Sequence, residues 1–307
     1  MKIIGARAAA AALPFDRLIA ALRARFAGGC EVPPRQVLQP AEGMTSLIMP
    51  AWVAGGAYAV KIVNIAPGNA ARGLPGLHST VLLHDGATGR PLALIDGDTI
   101  TARRTAAASA LAADHLARQD ARHLLVVGAG RVAELLPAAY AAVRRIDRVS
   151  VWARRPEAAR ALAARWRRQG LAARAAPSLA AAAAEADIVS CATLSTAPLM
   201  QGAWLRAGSH LDLIGSFTPA MREADDACLR DAGLYIDTAE ALAKSGDLLG
   251  PMSRGVFTRD SVRGTLADLC RGQVAGRHDA AERTVFKSVG TALEDLAAAM
   301  LVHAQTA

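Results

Sequence analysis

Three groups of residues in this 307-residue chain have types and spacings that can do chemistry. The first is Gly128-Ala129-Gly130-Arg131-Val132-Ala133, a G-x-G-x-x-A turn between the apolar run His123–Val127 and a helical pattern. There the first glycine makes a tight turn, the second lets backbone approach a pyrophosphate, and Ala133 permits close helix–strand packing. The helix N-terminus adds amide donors. The second group is Trp152-Ala153-Arg154-Arg155, at the end of the next strand. An NAD site puts Asp or Glu there to accept from the ribose 2′-hydroxyl, whereas two arginines suit a 2′-phosphate. The expectation is a nicotinamide dinucleotide, with NADPH preferred over NADH. The plainer readings are an ordinary glycine-rich turn and solvated arginines.

The third group is cationic. Arg103 and Arg104 open a helical pattern running from about Thr101 to Leu116. Cations in a first turn oppose the helix dipole, so either the pair is exposed or an anion lies nearby. Lys61 sits in the otherwise apolar strand Tyr58–Ile65. An unpaired lysine there costs free energy unless it points to water from a strand edge.

The elements that must position these groups read as two regions. Residues 13–29 form an amphipathic helix, with Leu13, Leu18, Ile19, Leu22 and Phe26 at helical spacing, opened by Pro14 and closed by Gly28-Gly29. Strand-like runs at 46–49, 58–65, 80–84 and 92–96 follow, separated by Gly, Pro and Asn turns. From His123 onward, strands at 123–127, 149–152, 187–193, 210–214 and 234–237 alternate with helices, which predicts a parallel, doubly wound sheet. Pro137 falls inside the first of these helices and predicts a kink. Residues 286–302 read as a final amphipathic helix.

Composition narrows the function classes. Net charge is +8, mostly from dispersed arginine, and no nucleic-acid motif accompanies it. Aromatics are only 4%, too few for a base-stacking platform. Nucleic acid is therefore not an expected partner. Charges recur too often for a membrane span, and Arg7 interrupts the alanine run that follows Lys2, so the expectation is a soluble, cytoplasmic protein. Cys30, Cys191, Cys228 and Cys270 have no metal or redox spacing. No metal is expected.

Ile100–Ala113 resembles the signature helix of the ornithine cyclodeaminase/mu-crystallin family. So do Pro33-Pro34-Arg35, Met49-Pro50-Ala51, the Lys61 strand, Leu92–Gly97, Gly128-Ala129-Gly130, Gly246-Asp247 and Val285–Asp295, in order along nearly the whole chain. The resemblance implies a homodimer. It implies a substrate and dimerisation domain of residues 1–115 with 288–307, closed by the C-terminal helix, and a Rossmann domain of residues 116–287. It further implies that Arg35, Lys61 and Arg104 hold a substrate carboxylate in an interdomain cleft. Thr193 and Leu194 follow a nucleotide-domain strand and are expected to border the cofactor, with Lys287, Thr105 and Phe217.

The chain departs from the cyclodeaminases at two places. Phe217, in Ser216-Phe217-Thr218-Pro219, stands where they carry an aspartate, and Leu47 stands where they carry a glutamate. Phenylalanine can neither accept a proton nor orient an ammonium group. The pattern is instead similar to family members that reduce Δ1-pyrroline-2-carboxylate or Δ1-piperideine-2-carboxylate. The expected activity is NAD(P)H-dependent reduction of such a cyclic imino acid to L-proline or L-pipecolate, at a site of three cations with no acid opposite. The imine nitrogen arrives protonated, or takes its proton from Lys61 or water. The alternatives are amino acid oxidation of the ornithine cyclodeaminase or alanine dehydrogenase type, and a non-catalytic NADPH-dependent binding protein.

Overall fold

The computed structural model describes residues 1–306. The chain forms two compact units, Met1–Thr105 with the segment from Thr291 onward, and Ala106–Gly290. The sequence places these borders at 115/116 and 287/288, with a last residue, Ala307, that lies outside the described part. The first border falls inside a helix because an unbroken alanine-rich run crosses it and no turn residue marks the change.

The first unit contains β1 (Lys2–Ile4), α1 (Ala6–Ala11), α2 (Phe15–Gly28), β2 (Gln36–Ala41), β3 (Met44–Trp52), β4 (Ala57–Ile65), β5 (Leu77–Asp85), β6 (Pro91–Asp96) and the start of α3 (Gly97–Leu116). The six strands form one sheet in the order β1-β6-β5-β4-β3-β2. Only β1 and β6 run parallel. Side chains alternate between faces, so cross-strand partners share a face. One such row is Met49–Lys61–Val81–Ile95. The C-terminal helix (Ala292–Gln305) packs on β3, β4, β5 and α2. Helix α2 buries the stripe Leu18, Ile19, Leu22 and Phe26, each contributing about 1.5–3 kcal/mol.

The second unit contains β7 (His123–Val127), α4 (Arg131–Ala141), β8 (Arg148–Trp152), α5 (Pro156–Arg168), β9 (Ala173–Ala175), α6 (Leu179–Glu185), β10 (Ile188–Cys191), β11 (His210–Leu213), β12 (Gly233–Ile236), α7 (Ala241–Lys244), α8 (Gly246–Ser253), β13 (Val262–Thr265), α9 (Leu266–Arg271) and β14 (Thr284–Lys287). Its eight strands are all parallel, in the order β13-β12-β14-β11-β10-β7-β8-β9. This is the expected doubly wound α/β sheet. From β7 the chain builds outward to β8 and β9, then returns to add β10 on the other side. The switch point therefore lies between the C-terminal ends of β7 and β10, where ligands bind in open α/β sheets.

Two sequence expectations change. Residues 286–302 are not one helix: Phe286 and Lys287 end strand β14, and the helix begins at Ala292. Phe286, Val289 and Leu293 have helical spacing, but Gly290 at φ +77° breaks the run. Helix α3 begins at Gly97 rather than Thr101, so Arg103 and Arg104 lie in its second turn. The dipole argument for an anion fails there, because the effect fades beyond the first turn.

Candidate functional site

Lys61 is directed by strand alternation onto the face of β4 that the C-terminal helix covers, and is only 2% exposed. Its Nζ lies 2.7 Å from Asp295 Oδ2 and 3.5 Å from Thr101 Oγ1. Arg104, also buried, donates from Nε to Asp295 Oδ1 at 3.0 Å and from Nη1 to Glu294 Oε2 at 2.7 Å. Those bonds leave the two Nη2 donors for a ligand. One carboxylate thus joins two of the three expected cations. Arg35 stands, half-buried, just ahead of β2. Extending the β2–β3 register by one residue puts it opposite Met49, in the row that holds Lys61.

The expectation of a cationic site without acids is overturned. Asp295 and Glu294 lie in the first turn of the C-terminal helix, after the Thr291 cap. Negative charge is favourable at that end of a helix, and the cations hold it there. The sequence does carry a signal: residues 292–299 are apolar apart from this pair, and a helix apolar all round is buried, so its acids need partners. Arg103 plays no part in the cluster. Its guanidinium lies 4.4 Å from the Phe15 ring centroid and donates to the Leu13 carbonyl, tying α3 to the start of α2.

Burial pushes the Lys61 ammonium down, and Arg104 adds to this; Asp295 opposes it, and the balance lies at about 8. Burial also works against the charge of Arg104, but Asp295 and Glu294 raise it above its ordinary value. Burial would raise Asp295, yet Lys61 and Arg104 hold it below the usual carboxylate value. Lys61, Arg104 and Asp295 are therefore ionised partners, and the lysine among them is unusually acidic.

In the second unit, the glycine turn forms at the end of the fully buried strand β7. Gly128 has φ +120°, and a Cβ there would meet the Ala192 carbonyl oxygen at 2.5 Å. Gly130 caps α4, and a Cβ on it would meet nothing within 4 Å. Ala129, Gly130 and Arg131 are exposed and Val132 half-buried, whereas Ala133 is buried against the strand. No side chain of the Gly130 cap bonds the first turn of α4, and the helix itself offers those amides no acceptor. This cradle fits a dinucleotide pyrophosphate. The Gly128 amide donates to the Trp152 carbonyl at 2.8 Å, which brings the turn beside the end of β8. Arg154 and Arg155 follow directly and are exposed.

On the other side of the turn, Thr193 follows β10 with its Cγ2 within 3.4 Å of the position a Gly128 Cβ would take. Leu194 is 72% and Phe217 40% exposed. Thr193 is held by Glu223, which accepts its amide at 2.7 Å and its hydroxyl at 2.8 Å on Oε1 and the Gly215 amide at 2.6 Å on Oε2. Burial pushes Glu223 up to about 7, although Lys287 counters it. Lys287, expected to border the cofactor, has no exposed surface. Its Nζ lies 3.3 Å from Asp247 Oδ2, and Asp247 in turn accepts the Glu223 and Ala224 amides. Its role is therefore to support the loop. Thr105 ends the first unit with its hydroxyl bonded to the Thr101 carbonyl at 2.7 Å. Glu223 was missed as a site residue because nothing local shows that it reaches two other loops. Among the described residues, no cluster of metal ligands occurs and no helix is long and apolar enough to cross a membrane.

The sequence profile of the ornithine cyclodeaminase/mu-crystallin family matches residues 6–307. The chain belongs to that family. Among its relatives, a Delta(1)-pyrroline-2-carboxylate reductase of Paracoccus denitrificans is 46% identical over 256 residues, covering 82% of this chain and 80% of its own. The solved structure of Thermococcus litoralis Delta(1)-pyrroline-2-carboxylate reductase, in complex with NADH and L-proline, is similar over the whole chain and 97% of its own, with a TM-score of 0.94 and 32% identity. An archaeal alanine dehydrogenase dimer with bound NAD is similar at a TM-score of 0.93 and 28% identity, over the whole chain and 96% of its own. Like the relatives it matches, this family member is an oxidoreductase.

Proposed function

We propose that the protein reduces a small cyclic imino acid, Δ1-pyrroline-2-carboxylate or Δ1-piperideine-2-carboxylate, to L-proline or L-pipecolate, with NADPH preferred over NADH. The observation that carries this reading is the buried pairing of Lys61 and Arg104 on Asp295, with Arg104 Nη2 left over. Arg35, whose position extends the same row, is the third cation of this reading. Arg104 offers a planar fork and Lys61 a point charge, which together fix the acid group in one orientation. A bound reduced nicotinamide supplies the hydride for the imine carbon. Phe217, where an acid would otherwise handle a free amine, suits a substrate whose imine is already formed. The proton on nitrogen comes with the substrate, from water, or from Lys61, whose low pKa favours donation. The glycine turn and the α4 amides take the pyrophosphate, while Arg154 and Arg155 meet a 2′-phosphate. The relatives with matching names support the substrate class.

The protein acts as a homodimer in this reading. The sheet face opposite Lys61 carries the row Ile3–Leu94–Leu82–Val60, with Ile3 80% exposed and Ile62 beside it 40% exposed. Such an apolar face fits a subunit interface.

The test is NAD(P)H oxidation by purified protein with five- and six-membered cyclic imino acids, against the reverse reaction with proline, alanine and ornithine. Turnover of an imino acid is expected, and Lys61→Met or Arg104→Ala should lower kcat/KM by about 100-fold or more. Near-wild-type turnover in both variants removes the clamp. Oxidation of alanine or ornithine without imine reduction favours amine oxidation, and cofactor binding without any turnover favours a binding protein.

A further inference from the structure

We propose that Asp295 is a positioning residue for the reaction: it grips Lys61 and Arg104 together, so that their remaining donors converge on the substrate carboxylate. This rests on the reading of Lys61 and Arg104 as the carboxylate clamp. Asp295 is 1% exposed and uses both oxygens, Oδ2 on Lys61 at 2.7 Å and Oδ1 on Arg104 Nε at 3.0 Å. A carboxylate shared in this way sets the spacing of the two cations. Glu294 bonds Arg104 at Nη1 and so fixes the rotation of the guanidinium about its own axis. Without these acids, Lys61 and Arg104 would share a buried space and repel one another, and Lys61, the one able to lose its proton, would do so.

Asp295 therefore has a second effect, on charge. The groups acting on Lys61 are Asp295 and Glu294 from the C-terminal helix, which favour its proton, and Arg104 from α3, which disfavours it. Thr101 is an uncharged neighbour, and the flanking row positions Met49 and Val81 carry no charge. Arg35 lies further along that row. Asp295 is the largest influence keeping Lys61 protonated against its burial. A lysine titrating at about 8 is charged at neutral pH; with Asp295 neutralised it titrates lower still.

The experiment compares wild type, Asp295→Asn and Asp295→Glu in the pH dependence of kcat/KM for the cyclic imino acid, in L-proline binding, and in NADPH affinity. Asp295→Asn should move the alkaline limb to lower pH, raise KM and the L-proline Kd, and cost about 100-fold in kcat/KM. NADPH affinity should stay unchanged. Asp295→Glu should keep the limb near its wild-type pH while still raising KM, since charge is retained and position is not. A purely structural role would lower Tm without moving the limb of the surviving activity, and that result overturns the proposal. If Asp295→Asn does not fold, wild-type KM in Asp295→Glu overturns it equally. If wild type neither turns over an imino acid nor binds L-proline, the functional reading fails instead.

Discussion

Thr193 donates both its amide and its hydroxyl to one carboxylate oxygen of Glu223, at 2.7 and 2.8 Å. The other oxygen takes the Gly215 amide, so one buried acid fastens the loops after β10 and β11 beside the glycine turn.

That acid gives the folded protein a pH dependence. Glu223 titrates at about 7 when folded, against 4.5 for an ordinary glutamate. Folding strengthens its hold on a proton, so its contribution to stability is full below about 4.5 and is lost as pH rises through about 7, worth about 3 kcal/mol across that window. Thermal melts of wild type and Glu223→Gln from acid to neutral pH check this. The wild-type Tm should fall relative to the variant as pH rises, and parallel curves would exclude Glu223 as the titrating group.

The two motif glycines should respond differently to the same substitution. Gly128→Ala places a methyl 2.5 Å from the Ala192 carbonyl at a φ of +120°, and should destabilise the fold by about 2 kcal/mol or more. Gly130→Ala meets nothing within 4 Å, so Tm should hold. Its methyl would stand where the pyrophosphate approaches, so NADPH affinity should drop. Melts and cofactor titrations of the pair separate the two roles. Unchanged affinity in Gly130→Ala would mean that the turn does not hold the dinucleotide.

Arg154 and Arg155 decide the cofactor prediction. Removing both side chains should raise KM for NADPH about tenfold or more, the loss expected for charge-assisted bonds, and leave NADH little changed. Equal effects on both cofactors would make the arginines ordinary solvated residues.

The apolar sheet face predicts assembly. Ile62→Glu puts a charge in the middle of it, away from Lys61 on the opposite face. Sedimentation should show dimers for wild type and monomers for the variant. A wild-type monomer would remove the proposed interface.

Much of the second unit was legible locally. The strand β7 run and the G-x-G-x-x-A turn are each written within a few residues, because period and turn geometry are short-range properties. Elements lacking such marks were missed: three-residue strands β1 and β9 have no period to read, and the exposed strand β2 carries no alternation of burial. Residues 241–271, with α7 to α9 and β13, are built from pieces too short to declare themselves.

For the site, residue types alone establish which charges are present and which would be costly if left alone. Lys61 on an apolar strand needed either a partner or a path to water. Which partner it found was decided only by tertiary structure. Asp295 is 191 residues beyond Arg104, and both cations reach it because the C-terminal helix closes on the sheet. Burial then turned that contact into chemistry: a carboxylate that would be weakly attractive in water became the group holding a lysine charged in a dry interior.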